Sequence, residues 1–203
     1  EAVSLLEKSL KSKDAAGFAS AMPALGDACF ELGRWQQADA ILAEYVKDHV
    51  KADDADSAML KCALARQRLE KFGAALDMLS RLTSEHPDSP HALQAIFESG
   101  QCLAALGRAE EAQKRFAQVL DLDGSSRFAS HALRHLGQIA QARGDHDKAA
   151  EYLAKAGRGL PKDLANDVRY SQAQSLMAAK KFADAEKLLC GLVKKTKDPD
   201  RRL

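Results

Sequence analysis

A chain of 203 residues with a net charge of +1 has no charge excess to serve as a general polyanion binder. No apolar run approaches the roughly 18 residues a membrane span needs, and none resembles the core of a signal peptide. With 46% hydrophobic, 29% charged and only 5% aromatic residues, the composition describes an alanine-rich helical protein whose thin core grows by stacking.

Read from the N terminus, alanine returns at a fixed interval. Ala2, Ala38, Ala75, Ala112, Ala149 and Ala185 are separated by 36, 37, 37, 37 and 36 residues. Each sits in a similar phrase, as in Leu32-Gly33-Arg34-Trp35-Gln36-Gln37-Ala38 and Leu106-Gly107-Arg108-Ala109-Glu110-Glu111-Ala112. Such a period predicts one continuous repeat array. The expected divisions are 1–13 as the second helix of a preceding repeat, then repeats at 14–50, 51–88, 89–125, 126–161 and 162–198. Starting within a repeat and without a methionine, the chain is expected to be a piece of a longer protein.

Within the first full unit, Leu25, Ala28, Cys29 and Leu32 are followed by Ala38, Leu42, Tyr45 and Val46, all at three- and four-residue steps. That spacing predicts two helices, since strands alternate by two. Gly33, Gly107 and Gly144 stand between the paired stretches, where a residue able to take positive φ ends the first helix. The turns of units two and five, with Glu70 and Lys180 at that place, are expected to differ. Gly26, Gly100 and Gly137 recur seven residues earlier, in mid-helix, although glycine there costs about 1 kcal/mol relative to alanine. Close approach of the second helix explains them, with the recurring alanines expected as the matching contact. Ala63 and Ala173 keep the same site small. Pro87, Pro90, Pro161 and Pro199 mark hand-overs between units, with Ser89, Ser126 and Asp163 as expected helix N-caps. Pro23 is placed in a first turn by taking Ser20 as the N-cap. Cys29, Cys62, Cys102 and Cys190 form no Cys-x-x-Cys pair and read as free thiols, which favours a reducing, cytoplasmic setting over a periplasmic or envelope one.

Taken together, these residues resemble the tetratricopeptide repeat. Unit three shows the pattern in Ile96, Ser99-Gly100, Gly107, Ala112, Phe116 and Val119, and unit four in Leu133, Leu136-Gly137, Gly144, Ala149, Leu153, Ala156 and Pro161. Repeats two or three residues longer than the family's usual 34, and phrases such as Glu85-His86-Pro87-Asp88-Ser89-Pro90, resemble the bacterial cell-envelope branch that includes the Tol–Pal coordinator. Sel1-like repeats share elements of unit four but have a further glycine-rich turn. Pentatricopeptide repeats would be expected to show a basic, RNA-reading groove. The resemblance implies an all-α fold, a right-handed α–α superhelix or solenoid of helical hairpins. It also implies a non-catalytic, protein-binding scaffold without cofactors, whose first helices line a concave groove. The alternative is a regulatory or targeting domain of a larger enzyme.

Counting from the recurring alanines, the groove positions are Lys61, Leu64 and Arg68 in unit two and Phe97, Glu98 and Gln101 in unit three. Units four and five add His131, Arg134, His135, Gln138 and Gln141, then Tyr170, Ser171, Gln174 and Met177. Cations for a carboxylate, glutamines for an extended backbone and aromatics for apolar side chains together suggest an acidic peptide or protein segment as partner. A receptor for chaperone C-terminal tails is disfavoured, because the clamp positions hold Asp27, Leu64 and Gln101 and the chain's single asparagine is Asn166.

His131 and His135 share a helix face, half of a metal site at most, and the glutamate of a zinc-protease helix is missing between them. No nucleophile elbow, phosphate loop or dinucleotide glycine pattern occurs. Lysines and arginines are interleaved with acids, which argues against nucleic acid, except in the tail from Lys194-Lys195 to Arg201-Arg202. Exposed array ends predict either flanking repeats in a longer protein or end-to-end self-association.

Overall fold

The computed structural model describes residues 15–196, with side chains from 21 to 193. Ala2, the segment 1–13, Pro199 and the Arg201-Arg202 end of the basic tail therefore lie outside the described residues. Ten helices follow one another: α1 Ala15–Glu31, α2 Trp35–Asp48, α3 Ala55–Arg68, α4 Phe72–Glu85, α5 Ala92–Ala105, α6 Ala109–Asp123, α7 Ala129–Ala142, α8 His146–Ala156, α9 Lys162–Ala178 and α10 Phe182–Thr196. Within the two units given below, α1 pairs with α2, α3 with α4, α7 with α8 and α9 with α10 as helical hairpins, and no strand occurs among the described residues. The chain divides into two compact units, Glu1–Ala112 and Gln113–Leu203, with the division inside α6.

All five described alanines of the ruler, Ala38, Ala75, Ala112, Ala149 and Ala185, are buried. In the first unit the core joins Leu42, Tyr45 and Val46 of α2 to Met59, Cys62 and Ala63 of α3, and these to Leu79 and Leu82 of α4. In the second unit, Leu153 and Ala156 of α8 pack with Ala165 and Val168 of α9. Helix hairpins of this size hold together through such faces rather than through propensity. Interhelix closeness comes from glycine, but its counterpart is not the ruler alanine. A Cβ on Gly137 would lie 2.6 Å from Leu153 Cγ, and one on Gly26 would collide with Leu42. At both sites the leucine four residues after the alanine fills that space, Leu42 after Ala38 and Leu153 after Ala149, while Ala149 offers only its carbonyl oxygen, 3.5 Å away.

Every hairpin turn has the same left-handed residue. Gly33, Gly107 and Gly144 have φ of 70°, 73° and 77°, and Glu70 and Lys180 match them at 57° and 60°. The following N–H donates back to the carbonyl five residues earlier in each case: Arg34 to Cys29, Lys71 to Arg66, Arg108 to Leu103, Asp145 to Ala140 and Lys181 to Leu176, at 2.8–3.0 Å. This closure satisfies a terminal helix carbonyl and holds the conformation whatever residue occupies it. The expectation of different turns at Glu70 and Lys180 is thus corrected. A side chain in that region costs about 1–2 kcal/mol. Glycine recovers this, less the extra chain entropy it adds to the unfolded state. Glu70→Gly and Lys180→Gly should each raise the unfolding free energy by about 0.5–1 kcal/mol in urea titrations, and a loss of stability would contradict the account.

Helix starts also differ from expectation. Pro23 lies inside α1, not in its first turn, since the helix already runs from Ala15 through Ser20. It leaves the carbonyl four residues back without its helical donor. Ser89 precedes α5 by a tight turn. Its hydroxyl oxygen accepts the His91 N–H at 2.9 Å and its hydroxyl donates to Asp56 at 2.5 Å, while His91 is the N-cap. Ser126 donates to the Asp123 carbonyl and Phe128 caps α7. Asp163 stands in the first turn of α9 behind the cap Pro161, where its charge suits the helix dipole without capping.

Candidate functional site

The first helix of each hairpin carries the residues singled out above. In the first unit, α1, α3 and α5 present them side by side. A glutamine fixes their spacing: Gln67 Nε2 donates to the Glu98 backbone carbonyl at 3.3 Å and to Cys102 Sγ at 3.1 Å. In the second unit Gln141 does the same from α7 to α9, reaching the Ser171 carbonyl at 3.1 Å and Ser175 Oγ at 2.7 Å. Both glutamines stand eight residues ahead of a ruler alanine. Gln67 was not among the expected positions, yet that shared register is a signal the sequence offers.

In the first unit, Phe30, Leu64, Gln67, Arg68, Glu98 and Gln101 line an open recess of about 260 Å³. Leu64, Arg68, Glu98 and Gln101 were expected there, whereas Phe30 and Gln67 were not. Lys61 is paired with Asp27 at 2.5 Å, so its charge is already matched. Arg68 is exposed, its guanidinium 5.9 Å from the centre of the Trp35 ring. Burial raises the Glu98 carboxyl above the usual glutamate range, against hydrogen bonds from Gln67 and Gln94 and the charge of Arg68. Phe97 is 6% exposed and belongs to the core, so it offers no aromatic face to a partner.

In the second unit, His135 is only half-buried and stacks on Phe116, with ring centroids 4.8 Å apart and planes 7° from parallel. Burial, then the charges of Arg134 and His131, lower its pKa to about 4. His131 is lowered by the same burial and by Arg134. The Arg134 Nε is buried without an acceptor. Gln138, Gln174 and Tyr170 are exposed, Tyr170 by 55%, and Met177 by 50%. A second recess of about 480 Å³ lies between α9 and α10, with Arg169, Leu176, Leu188 and Leu192 among its walls.

Cys62, deep beside Asp39, has its thiol pushed up to about 12 by burial, and thiolate is the reactive form. Cys29 and Cys102 are also buried, and Cys190 is exposed. Among the described residues no three His, Cys, Asp or Glu side chains are grouped to hold a metal, and no helix is long and apolar enough to cross a membrane. Asp39 joins the first two hairpins: Arg66 donates to it at 2.7 Å and Lys71 at 3.1 Å. Burial pushes its carboxyl up, but these two cations outweigh that and hold it below the usual aspartate range.

Comparison with known proteins agrees with this architecture. The model of the tetratricopeptide repeat family matches residues 66–134. No curated protein sequence matches the chain. Among solved structures, the MamA protein is similar at a TM-score of 0.77 and 16% identity, over 91% of this chain and 96% of that one. The nearly identical TPR-like repeats of a Podospora anserina kinesin light chain are similar at 0.66 and 18% identity, over 88% and 96%. BtubC from P. vanneervenii gives 0.71 and 15%, over 95% and 85%. At these identities the likeness shows the fold.

Proposed function

Because the chain is a tetratricopeptide-repeat protein, and such repeats are generally non-catalytic scaffolds for other proteins, we propose that it binds an extended protein segment along the face formed by its first helices. The observation that supports this reading is the recess in the first unit. There the side chains of three successive first helices meet, half-exposed and rich in amide groups able to bond an extended backbone. In the second unit, exposed Gln174 and Met177 on α9 hold the registers of Leu64 and Gln67, and Tyr170, one turn earlier, is exposed as well.

An acidic partner has less support than the sequence alone suggested. Of the three cations expected to receive it, Lys61 is paired with Asp27 and Arg68 rests on Trp35. Arg134 remains, beside two histidines that its charge helps to keep neutral.

Crosslinking in the native cell followed by mass spectrometry tests the reading. Gln101→Ala together with Tyr170→Ala removes one contact from each unit without touching the core, and recovery of the major partner should fall at least threefold. Undiminished recovery with both variants in place would mean that partners use another surface.

A further inference from the structure

The recess in the first unit has walls and a floor of different chemistry. Phe30 and Leu64 supply apolar area, Gln67 and Gln101 supply amides, and Glu98 supplies a carboxyl. Glu98 is itself a lining residue, and Gln67 beside it donates to its backbone carbonyl at 3.3 Å, so the acid sits at the recess and not away from it. Among the described residues no lysine, arginine or histidine forms an ion pair with Glu98, although the charge of Arg68 favours its carboxylate beside the amides of Gln67 and Gln94. Three other acids near a neighbouring helix have a cation: Asp27 has Lys61, Asp39 has Arg66 and Lys71, and Asp147 has Lys181.

We propose that this recess receives a basic side chain of the bound segment, an arginine or lysine whose methylene stem lies against Phe30 and Leu64 and whose cation meets Glu98. The assignment rests on the inner-face reading above and names what one position of that face selects. Long cationic side chains combine an apolar stem with a charged tip, the combination this recess presents in mirror image. Its opening of about 260 Å³ admits one such side chain.

Arg68 opposes an incoming cation but does not prevent it. It is exposed and held toward Trp35, whereas Glu98 is half-buried. At equal distance, attraction through the partly dehydrated recess exceeds repulsion through water by roughly fourfold. Burial already raises the Glu98 carboxyl, so a cation would restore what desolvation took away.

The test uses three peptides, acetyl-Ala-Ala-Xaa-Ala-Ala-amide with arginine, norleucine or glutamate as Xaa, titrated into the whole chain while amide signals are followed by NMR. The arginine peptide should shift Leu64, Gln67 and Gln101 saturably and bind at least fivefold more tightly than the norleucine peptide. Glu98→Gln should remove that preference. Arg68→Gln should strengthen arginine binding about two- to threefold, a sign opposite to that of an acid-binding site. Equal affinity for norleucine, or tighter binding of glutamate, at the same three residues overturns the assignment and leaves inner-face binding intact. If none of the three peptides shifts these residues, the recess assignment fails, and the crosslinking experiment then decides separately on the inner face.

Discussion

Leu153→Ala is expected to lower the unfolding free energy by about 3 kcal/mol, in the range for a fully buried leucine cut to alanine. Gly137→Ala is expected to cost about 2 kcal/mol, although the change improves helix propensity by about 1 kcal/mol. A methyl group there would lie 2.6 Å from Leu153 Cγ and 2.8 Å from Cδ2, in a core where neither helix has room to move. Overpacking of that kind costs about 1–3 kcal/mol or more, and here it outweighs propensity. The double variant carries the sharper information. With Leu153 shortened, the new methyl enters the space the leucine left. The combined loss should be about 3 kcal/mol instead of the sum of the two, a coupling of about 2 kcal/mol. Urea midpoints and slopes of the four proteins measure it. Additivity to within about 0.5 kcal/mol would mean that glycine is not there to bring the helices together.

That pair also shows how much the sequence disclosed. The period of the alanines predicted an all-α repeat, and the described residues form ten helices and no strand, since a small residue every 36 or 37 positions reports a recurring packing constraint. It did not report which side chain fills the gap, because Leu42 and Leu153 look like ordinary core residues until the geometry places them on Gly26 and Gly137. Turn conformation at Glu70 and Lys180 was hidden for another reason. Left-handed φ is a glycine signature only when local preference decides, and here the backbone closure from Lys71 to Arg66 and from Lys181 to Leu176 decides.

Among the binding positions, simple counting placed Leu64, Glu98 and Gln101 around one recess. It failed at Phe97, which stands fifteen residues ahead of Ala112 as Leu60 does ahead of Ala75, and both are buried. Arg134 occupies that same register ahead of Ala149, which accounts for its Nε being buried without an acceptor. A register that is core in two repeats and cationic in a third is invisible to a rule that treats all repeats alike.

Acid should weaken the second unit well before its carboxylates titrate, and His135 is the reason. Its imidazole lies flat on Phe116, and burial followed by the charges of Arg134 and His131 brings its pKa from 6.5 to about 4, against one favourable hydrogen bond with Gln138. The unfolded chain therefore takes up this proton first as the pH falls. Stability from burying the neutral ring is complete above about pH 6.5 and is lost between there and about pH 4. At 1.36 kcal/mol per pKa unit, and allowing for the solvent that reaches a half-buried ring, the loss between pH 7 and pH 5 is about 1–2 kcal/mol. Asp39, Asp56 and Asp145, all held below the usual aspartate range, contribute only at more acid pH. Glu98 acts with the opposite sign, because its raised carboxyl favours the folded state as protons bind. His135→Phe separates these terms: it keeps an aromatic ring on Phe116 and removes the titrating group. Urea unfolding of both proteins at pH 7 and pH 5 should show the variant losing about 1–2 kcal/mol less than the parent over that interval. Equal losses would mean that His135 takes up its proton without leaving its place on Phe116.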